Sequence, residues 1–390
     1  MSKIKIIHVI YSFEVGGIES VVLEMLNNFD KNKFECHVIT ITNDNLRMHG
    51  LLKDDVVLHA LPVGSRNLKT VSGIFKCFIG LCTMFSKIKP DIIHAHLSAF
   101  ALLFIALTIK FSNNYAVNVR SIHTAGLFYK RDKTFVDKIK ISLEKLAMSL
   151  VNMKIICVSK LVYKNAIRDF PSKNIQKRLI LNGIDLNRFS PERVKNVSKK
   201  DFSIHETSPV VSYVARLSQE KNHSELLDIW FEVVTTLPDA ILVFAGDGPL
   251  LNMLKLKVDK LGLNNNVLFL GAITNVPELL RISDIGVFVS SYEGFGLVLI
   301  EYLAMRLPVV ATDLEAFQDI VKDGEGAFLI PIHEKEKYVQ TIISLLRDPE
   351  LKNSISNNGY LQSQKYFAKE MIAKHKAFYL ELLFRTSGDD

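Results

Sequence analysis

Two acidic residues in the C-terminal half of the chain have the types and spacing that could bind a ligand with neighbouring hydroxyl groups. The stretch SSYEGFGLVLIE, residues 290–301, places Glu293 in a glycine-rich turn and Glu301 inside the apolar run that follows. Burying a carboxylate without a partner is costly, so Glu301 requires either a counter-ion or a ligand. A carboxylate can accept two hydrogen bonds from a vicinal diol such as a ribose, and Glu293 could bind a second sugar in the same way. The alternative for Glu301 is a buried salt bridge to Arg216 or Lys221.

Arg216 and Lys221 lie five residues apart in ARLSQEKNH (215–223), directly after an apolar, strand-like run. Two cations at the end of a strand are suited to clamp a diphosphate, although ordinary surface charges remain an alternative. The turn at residues 293–297 should complete this diphosphate site, because its glycines leave room for a ligand and supply N–H groups for hydrogen bonds. The predicted members of that turn are Gly294, Phe295, Gly296 and Leu297.

A second glycine pair lies near the start of the chain, in EVGGIES (14–20), after the first apolar run. Gly16 and Gly17 would let the backbone pass close to a ligand, and the N–H groups of the helix that begins there favour an anion. A lone glycine pair is weak evidence, since many strand–helix turns contain one.

The elements that must position these residues alternate between short apolar runs and amphipathic helical stretches, which predicts an α/β fold with parallel sheets. The polar, non-periodic segment 187–209 separates two such series. We therefore expect two facing Rossmann-like domains, residues 1–188 and residues 189–364. The predicted strands are 4–10, 36–41, 91–95, 117–120, 154–158, 209–215, 240–245, 267–270, 285–290 and 308–311; the predicted helices are 17–29, 70–88, 98–111, 134–150, 159–169, 223–237, 249–261, 276–282, 296–305 and 334–346. Asp247 is expected to cap the helix that Pro249 begins.

The bulk composition favours a cytoplasmic protein with an anionic partner. The net charge is +7, with the basic excess confined to the first half of the chain. The basic stretch 129–154 predicts an amphipathic helix that either docks on an anionic membrane leaflet or packs its apolar side into the core. The four cysteines show no metal-ligand spacing and should be reduced core residues.

Two apolar stretches are candidate membrane spans. Residues 71–85 are too few and include Lys76, and residues 92–109 are better explained by a strand followed by a buried helix. The opening residues predict a first β-strand rather than a signal peptide.

Taken in order, the motifs resemble the retaining GT-B glycosyltransferases of glycosyltransferase family 4, and the resemblance covers nearly the whole chain. Its strongest element is the glutamate pair in EGFGLVLIE. The supporting motifs are GGIES (16–20), HAHLSAF (94–100), RSIHTAG (120–126), CVSK (157–160), NGIDLNRF (182–189), ARLSQEKN (215–222), AGDGPL (245–250) and LPVVATD (307–313).

The resemblance implies GT-B architecture, with a closing helix at about 365–390 that packs back on the first domain. It also implies a role for each candidate residue. Arg216 and Lys221 would grip the donor diphosphate, Glu301 the ribose and Glu293 the transferred sugar, with His123 near the reacting carbon. Gly16 and Gly17 would close over the phosphates from the other domain. The acceptor-side candidates are His94, His96 and Arg120, although a histidine beside a strand is more often structural. The family implies neither a metal nor a cofactor.

The implied mechanism is a front-face substitution in which the departing diphosphate takes the acceptor proton. We expect a UDP-sugar donor, with guanosine second, and a saccharide acceptor, lipid-linked as in bacterial surface-polysaccharide assembly. A sugar-nucleotide epimerase and a non-catalytic scaffold of the same fold remain alternatives. Nucleic acid is not an expected partner, because it would explain the charge but not the carboxylate pair.

The sequence departs from the family pattern at three places. Asn222 stands where the family has a glycine after the clamp lysine, and Arg306–Leu307 replaces a glycine before PVVAT. Residues 314–321, LEAFQDIV, replace a glycine pair that faces the phosphates in many relatives. These changes question the shape of the diphosphate loop and the sugar pocket.

Overall fold

The computed structural model describes residues 2–44, 46–112, 115–123, 134–172 and 175–385, without the side chain of residue 385. These residues form two compact units. The first unit runs to Gly183 and resumes at Ala368, and the second runs from Ile184 to Phe367.

The first unit is built on a seven-stranded sheet in which every strand pair is parallel. Its strand order is β3-β2-β1-β4-β5-β6-β7. The central strands carry Ile and Val on both faces, as a sheet covered on both sides by helices requires. The strands are β1 (Ile4–Ile10), β2 (Phe34–Thr40), β3 (Val57–Ala60), β4 (Ile92–Ala95), β5 (Val117–Ile122), β6 (Lys154–Cys157) and β7 (Lys177–Leu179); the helices are α1 (Gly17–Asn28), α2 (Val71–Ile88), α3 (Ala99–Phe111), α4 (Phe135–Leu150), α5 (Lys160–Asp169) and α13 (Ala368–Arg385).

The second unit repeats this plan with a six-stranded parallel sheet of order β10-β9-β8-β11-β12-β13. The strands are β8 (Val210–Val214), β9 (Ile241–Ala245), β10 (Val267–Gly271), β11 (Ile285–Phe288), β12 (Val309–Thr312) and β13 (Ala327–Ile330); the helices are α6 (His223–Thr236), α7 (Leu251–Leu261), α8 (Val276–Ile282), α9 (Leu297–Ala304), α10 (Glu315–Gln318), α11 (Lys335–Arg347) and α12 (Pro349–Ser363). The expected α/β class with two parallel, Rossmann-like sheets is confirmed.

Helix α2 has two contrasting faces. Its inner residues recur every three to four positions and are buried in the core between the helix and the sheet: Gly73, Cys77, Leu81, Phe85 and Ile88. Its outer stripe is apolar but exposed, and includes Val71 and Phe75. Among the described residues, α2 is the helix that is long and apolar enough to cross a membrane by length and composition. The segment at 92–109 forms strand β4 and helix α3, as expected. The strand is buried, and α3 buries one side while Phe100 and Leu107 are exposed.

The sequence did not predict three strands and one late helix. Strands β3, β7 and β13 were absent from the expected elements, and so was α12. The expected closing helix at about 365–390 is present as α13, which belongs to the first unit and follows α12 after a short 3-10 turn at Gln364–Tyr366. Asp348 begins α12, because its carboxylate accepts hydrogen bonds from the N–H groups of Glu350 and Leu351 at 3.0 Å.

Candidate active site

The donor-site loops of the second unit lie together at one edge of its sheet. Strands β8 and β11 are parallel neighbours, so the loops at their carboxyl ends, residues 215–222 and 289–296, meet at the same edge. A hydrogen bond from Ser291 N–H to the Glu220 carbonyl, at 2.8 Å, ties the two loops together. The loop at 215–222, which carries the predicted clamp residues, therefore lies beside the loop at 289–296, which carries Glu293. We call them the clamp loop and the glutamate loop.

Lys221 and Glu293 form an ion pair at the centre of this edge. Lys221 Nζ lies 2.5 Å from Glu293 Oε1, and the same oxygen accepts a hydrogen bond from Ser290 Oγ at 2.8 Å. The buried Tyr213 hydroxyl supports the pair by donating to the Lys221 carbonyl at 2.9 Å. Only 20% of the lysine side chain and 15% of the glutamate side chain are exposed, so the pair is largely shielded from water.

Asn222 gives the clamp loop a conformation that favours glycine. Its φ angle is +49°, in the left-handed region that asparagine tolerates better than most residues. Its side-chain amide donates to the carbonyl of Val289 at 3.0 Å, at the start of the glutamate loop. The departure from the family glycine therefore adds a bond between the two loops.

Arg216 is exposed at the end of β8. Within the described chain its guanidinium has no carboxylate within salt-bridge distance. This cation is thus available for an anionic ligand, whereas Lys221 is already paired.

Glu301 is a partly buried carboxylate on the first turns of α9. No cation among the described residues lies within ion-pair distance of it, so the alternative salt bridge to Arg216 or Lys221 is not formed. Burial raises the pKa of Glu301 to about 7, and the charge of Arg188 opposes this shift. A carboxylate kept at such a cost, without a protein partner, is suited to a ligand.

Glycine is required at the entrance to α9. Gly296 precedes the helix with a φ angle of +102°, and a Cβ there would lie 2.8 Å from Cε1 of Phe317. Phe295 is buried against Tyr366 at a ring-centroid distance of 5.7 Å, and this packing holds the loop in place. Leu297 is the first residue of α9, and Gly294 lies in the loop before it.

The turn after β9 supports the clamp loop in a way that the sequence did not predict. A Cβ at Gly246 would lie 1.9 Å from the Ala215 carbonyl oxygen, and one at Gly248 would lie 2.3 Å from that of Leu217. These glycines allow backbone to pack directly on the loop that carries Arg216. The expected cap is wrong: α7 begins at Leu251, and Asp247 Oδ1 instead accepts from Gly248 N–H at 2.7 Å.

In the first unit, Gly16 and Gly17 lie at the strand–helix turn, as the pattern predicts. Helix α1 begins at Gly17, and Gly16 precedes it in an extended conformation. A Cβ at Gly16 would lie 2.4 Å from Oε2 of Glu19, so the turn is closely packed at this glycine.

A cluster of buried imidazoles covers the β1–β4 pair of the first unit. The parallel register places His8 beside His94. His8 Nδ1 lies 2.9 Å from His96 Nε2, and His96 Nδ1 lies 2.8 Å from His123 Nε2. His94 bonds the Tyr379 hydroxyl at 2.6 Å and Ser121 Oγ at 2.8 Å.

Burial keeps these imidazoles uncharged. It lowers the pKa of His8 and His123 to about 3, and the pKa values of His94 and His96 fall well below the usual range. His8, His94 and His96 each offer a ring nitrogen, all within 4.8 Å of one another, so they are the described residues that could hold a metal ion. The sequence did not single out His8 or Tyr379, because nothing in the local pattern links them to the HAH motif.

Arg120, an acceptor-side candidate, forms a buried ion pair with Glu144 at 2.9 Å. Glu144 also accepts a hydrogen bond from Ala99 N–H at 2.8 Å. Arg120 pairs in register with Ala95, so it lies on the opposite face of the sheet from His94 and His96. Its charge is matched inside the core that joins β5, α3 and α4.

Comparison with known proteins agrees with this arrangement. The model described as Glycosyltransferase Family 4 matches residues 15–188, and the model described as Glycosyl transferases group 1 matches residues 194–362. Together they match most of the chain. The chain belongs to glycosyltransferase family 4. It is a glycosyltransferase with the GT-B fold.

Two curated bacterial transferases of this kind align over almost the whole chain. The UDP-Gal:alpha-D-GlcNAc-diphosphoundecaprenol alpha-1,3-galactosyltransferase of Escherichia coli is 25% identical, over 92% of this chain and 91% of the relative. The N-acetylgalactosamine-N,N'-diacetylbacillosaminyl-diphospho-undecaprenol 4-alpha-N-acetylgalactosaminyltransferase of Campylobacter jejuni is 26% identical, over 95% and 98%.

A solved structure shows the same GT-B fold. Anabaena HepE in complex with UDP and glucose superposes with a TM-score of 0.77 at 20% identity, covering 97% of this chain and 99% of HepE.

Proposed function

We propose that this family 4 enzyme transfers a sugar from a UDP-sugar to a lipid-linked saccharide acceptor, with retention of configuration and without a metal. The observation that carries the proposal is Glu301, a partly buried carboxylate with a pKa raised to about 7 and no cation beside it in the described chain. The Escherichia coli relative, which acts on a diphosphoundecaprenol-linked sugar with UDP-Gal, and the UDP complex of HepE support the choice of donor and acceptor. The named relatives are transferases, and nothing in them favours the epimerase or scaffold alternatives.

The Lys221–Glu293 ion pair suggests how the donor would be engaged. The diphosphate is a stronger competitor for Lys221 than a single carboxylate, because it offers more acceptor oxygens and more charge. When Lys221 turns to the diphosphate with Arg216, Glu293 is freed to accept hydrogen bonds from the transferred sugar. Glu301 would hold the ribose, so the same edge of the sheet binds the donor along its length.

The chemistry would be a front-face substitution. The bond from the anomeric carbon to the diphosphate breaks while the acceptor hydroxyl bonds to the same face. The acceptor proton passes to the departing diphosphate, and Arg216 and Lys221 stabilise the charge that develops there. His123 would contact the donor near the reacting carbon, with the glycines at 16 and 17 close to the phosphates. No cofactor is required by this step.

A thermal melt with UDP, GDP and ADP tests the donor assignment. A ligand at about 100 times its Kd adds roughly 2.7 kcal/mol to stability, so UDP should raise Tm by several degrees. The Glu301→Ala variant should lose this shift, whereas the exposed control Glu232→Ala on α6 should keep it. Equal shifts in wild type and Glu301→Ala would remove Glu301 from the ribose site.

The acceptor would be reached at a membrane surface. Helix α3 packs against both α2 and α4. All three helices carry exposed apolar side chains, and we call this set of side chains the apolar face. It comprises Val71, Ile74, Phe75 and Ile79 of α2, Phe100, Leu107 and Phe111 of α3, and Phe135, Val136, Ile139 and Leu146 of α4.

Exposed lysines accompany the apolar face, at Lys76, Lys110, Lys138 and Lys145. Apolar side chains with interspersed lysines suit an anionic bilayer. A peripheral position on the cytoplasmic leaflet would give the enzyme direct access to a lipid-linked acceptor. Part of the expected basic docking segment, residues 129–133, lies outside the described residues.

Liposome flotation tests this docking. Wild type should bind vesicles that contain phosphatidylglycerol, bind less as salt rises, and bind little to phosphatidylcholine alone. The double variant Phe75→Ser with Ile79→Ser should float at least several-fold less. The control Phe231→Ser, which removes an exposed phenylalanine of the second unit, should float like wild type. Equal flotation of the double variant would show that the apolar face does not meet the membrane.

A further inference from the structure

Three imidazoles of this cluster form a continuous chain of hydrogen bonds. It runs from His8 through His96 to His123, with nitrogen–nitrogen distances of 2.9 and 2.8 Å. The chain begins at His8 Nε2, which is buried and has no partner among the described residues. It ends at His123, which follows β5 and is partly exposed. Neither the family resemblance nor the comparisons assign a role to His8.

The hydrogen-bond pattern allows only two proton arrangements. A neutral imidazole donates through one ring nitrogen and accepts through the other. The chain can therefore donate from His8 toward His123, or in the opposite direction. In the reversed arrangement His8 would carry its proton on Nε2, leaving a buried N–H without an acceptor.

The first arrangement leaves the less costly unpaired group. An unpartnered N–H in the core is rarer and costs more than an unpartnered acceptor. His8 then donates through Nδ1 to His96, and His96 donates through Nδ1 to His123 Nε2. Since His123 accepts through Nε2, its proton must lie on Nδ1, which has no partner in the described chain.

The neighbouring groups keep this chain in place. The His96 ring lies between its neighbours, with ring-centroid distances of 4.1 Å to His94 and 5.2 Å to His8. His94 is itself fixed by Tyr379 and Ser121. The tautomer of His123 is thus set by groups that the core does not allow to turn.

We propose that His8 and His96 are positioning residues that hold His123 in the Nδ1–H form, so that His123 serves the transfer as a hydrogen-bond donor and not as a base. This inference rests on the proposed function, in which His123 lies near the reacting carbon. A hydrogen-bond donor at this point would bind a hydroxyl or phosphate oxygen of the sugar nucleotide. It also agrees with a mechanism in which the departing diphosphate, and no side chain, accepts the proton of the acceptor.

The direct test is the tautomer itself. In enzyme labelled with ¹⁵N at its histidines, long-range ¹H–¹⁵N spectra should show His123 with a protonated Nδ1 and a bare Nε2. The peaks are assigned with His123→Gln. The His8→Phe variant, which keeps an aromatic ring but removes the first hydrogen-bond donor, should shift His123 toward a mixture of tautomers. A His123 protonated on Nε2 in wild type would overturn the proposal.

Kinetics separates positioning from packing. His8→Phe should lower kcat about tenfold with little change in KM for the UDP-sugar, and His8→Gln, whose amide can still donate, should recover most of the loss. Equal kcat in His8→Phe and wild type, with UDP binding intact, would overturn the inference while leaving the proposed function in place. Failure of wild type to bind UDP would instead count against the proposed function.

Metal analysis tests the alternative that these histidines bind a metal ion. A metal ion on the nitrogens of His8, His94 and His96 would replace the His8–His96 hydrogen bond. Purified enzyme with near-stoichiometric zinc, lost in His8→Phe, would therefore overturn the proton chain in favour of a metal site. Metal-free enzyme with full activity supports the chain.

Discussion

Glu301 is a carboxylate in surroundings that disfavour its ionised form. It lies among apolar neighbours on α9, and in the described chain it has neither an ion pair nor a side-chain hydrogen bond. Arg188 lowers its pKa, but burial outweighs that effect and the pKa is raised to about 7. The folded protein therefore prefers the protonated side chain, whereas a ribose diol prefers the ionised one.

The pH dependence of stability should reveal this conflict. The pKa of Glu301 rises from 4.5 to about 7 on folding, so its contribution is most favourable below pH 4.5 and is lost as pH rises through 7. Glu301→Gln should thus match wild type at pH 4.5 and exceed its unfolding free energy at pH 8, by up to about 3 kcal/mol. Urea unfolding without nucleotide, at both pH values, measures the difference. If the unfolding free energies of Glu301→Gln and wild type differ equally at both pH values, Glu301 is ionised in the folded protein at little cost.

Two departures from the family pattern preserve unusual backbone conformations rather than removing them. Asn222 and Arg306 have φ angles of +49° and +58°, in the region that favours glycine. Asn222 gains a hydrogen bond to Val289. Arg306 is held by Tyr360, whose ring centroid lies 3.8 Å from the guanidinium carbon. The two turns, one in the clamp loop and one before β12, therefore keep their conformations without the glycines.

At the scale of elements, the entrance to α9 links the fold to the site. Gly296 must adopt a positive φ and must also fit against Phe317. Gly262, the C-cap of α7, shares the positive φ but has open space around it. Substitutions at these two glycines therefore distinguish the effect of backbone strain from the effect of close packing.

Alanine at these two positions should have different consequences. Gly262→Ala should cost about 1 kcal/mol of stability, from backbone strain alone, and leave UDP binding unchanged. Gly296→Ala should cost more and weaken UDP binding at least tenfold, because Phe317 must move and the loop with Glu293 moves with it. Calorimetric titration with UDP and urea unfolding compare them. Similar UDP affinity in both variants would show that the α9 entrance is not part of the donor site.

The elements that the sequence predicted are those with strong local patterns. Central strands such as β1 and β8 are rich in Ile and Val, whereas the missed β3 is partly exposed along its length and the missed β7 has only three residues, Lys177–Leu179. Helix α12 was missed because its sequence, PELKNSISNNGYLQS, has little amphipathic character. The donor-site residues could be found because they are close in sequence on two motifs. The imidazole chain could not, because His8 and His123 are far apart in sequence and are brought together by strand order.

At the scale of the whole molecule, the two units carry different numbers of buried neutral histidines. The described residues of the first unit include six whose pKa is lowered with burial as the largest cause: His8, His59, His94, His96, His123 and His375. In the second unit burial lowers the pKa of His223 in the same way. Acid should therefore act unequally on the two units.

The direction follows from proton binding. Each of these imidazoles has an unfolded pKa near 6.5 and a lower folded value, so the unfolded chain gains protons first as pH falls. Stability is retained above pH 6.5 and is lost below it. For His8, His123 and His375, whose folded pKa values are about 3, 3 and 4, the loss is roughly 2 kcal/mol each at pH 5. Their sum approaches the stability of an ordinary domain, so the first unit should unfold near pH 5 while the second remains folded.

The single tryptophan makes this prediction measurable. Trp230 is fully buried in α6 of the second unit, where its Nε1 donates to the Asn266 carbonyl at 3.0 Å. On titration from pH 7.5 to 4.5, far-UV circular dichroism should fall in part while Trp230 fluorescence stays native. In His8→Phe, one protonatable imidazole fewer should move the first transition to lower pH and leave the fluorescence transition unchanged. If both signals fall together in wild type, the two units unfold as one, and the imidazole cluster then limits the acid stability of the entire chain.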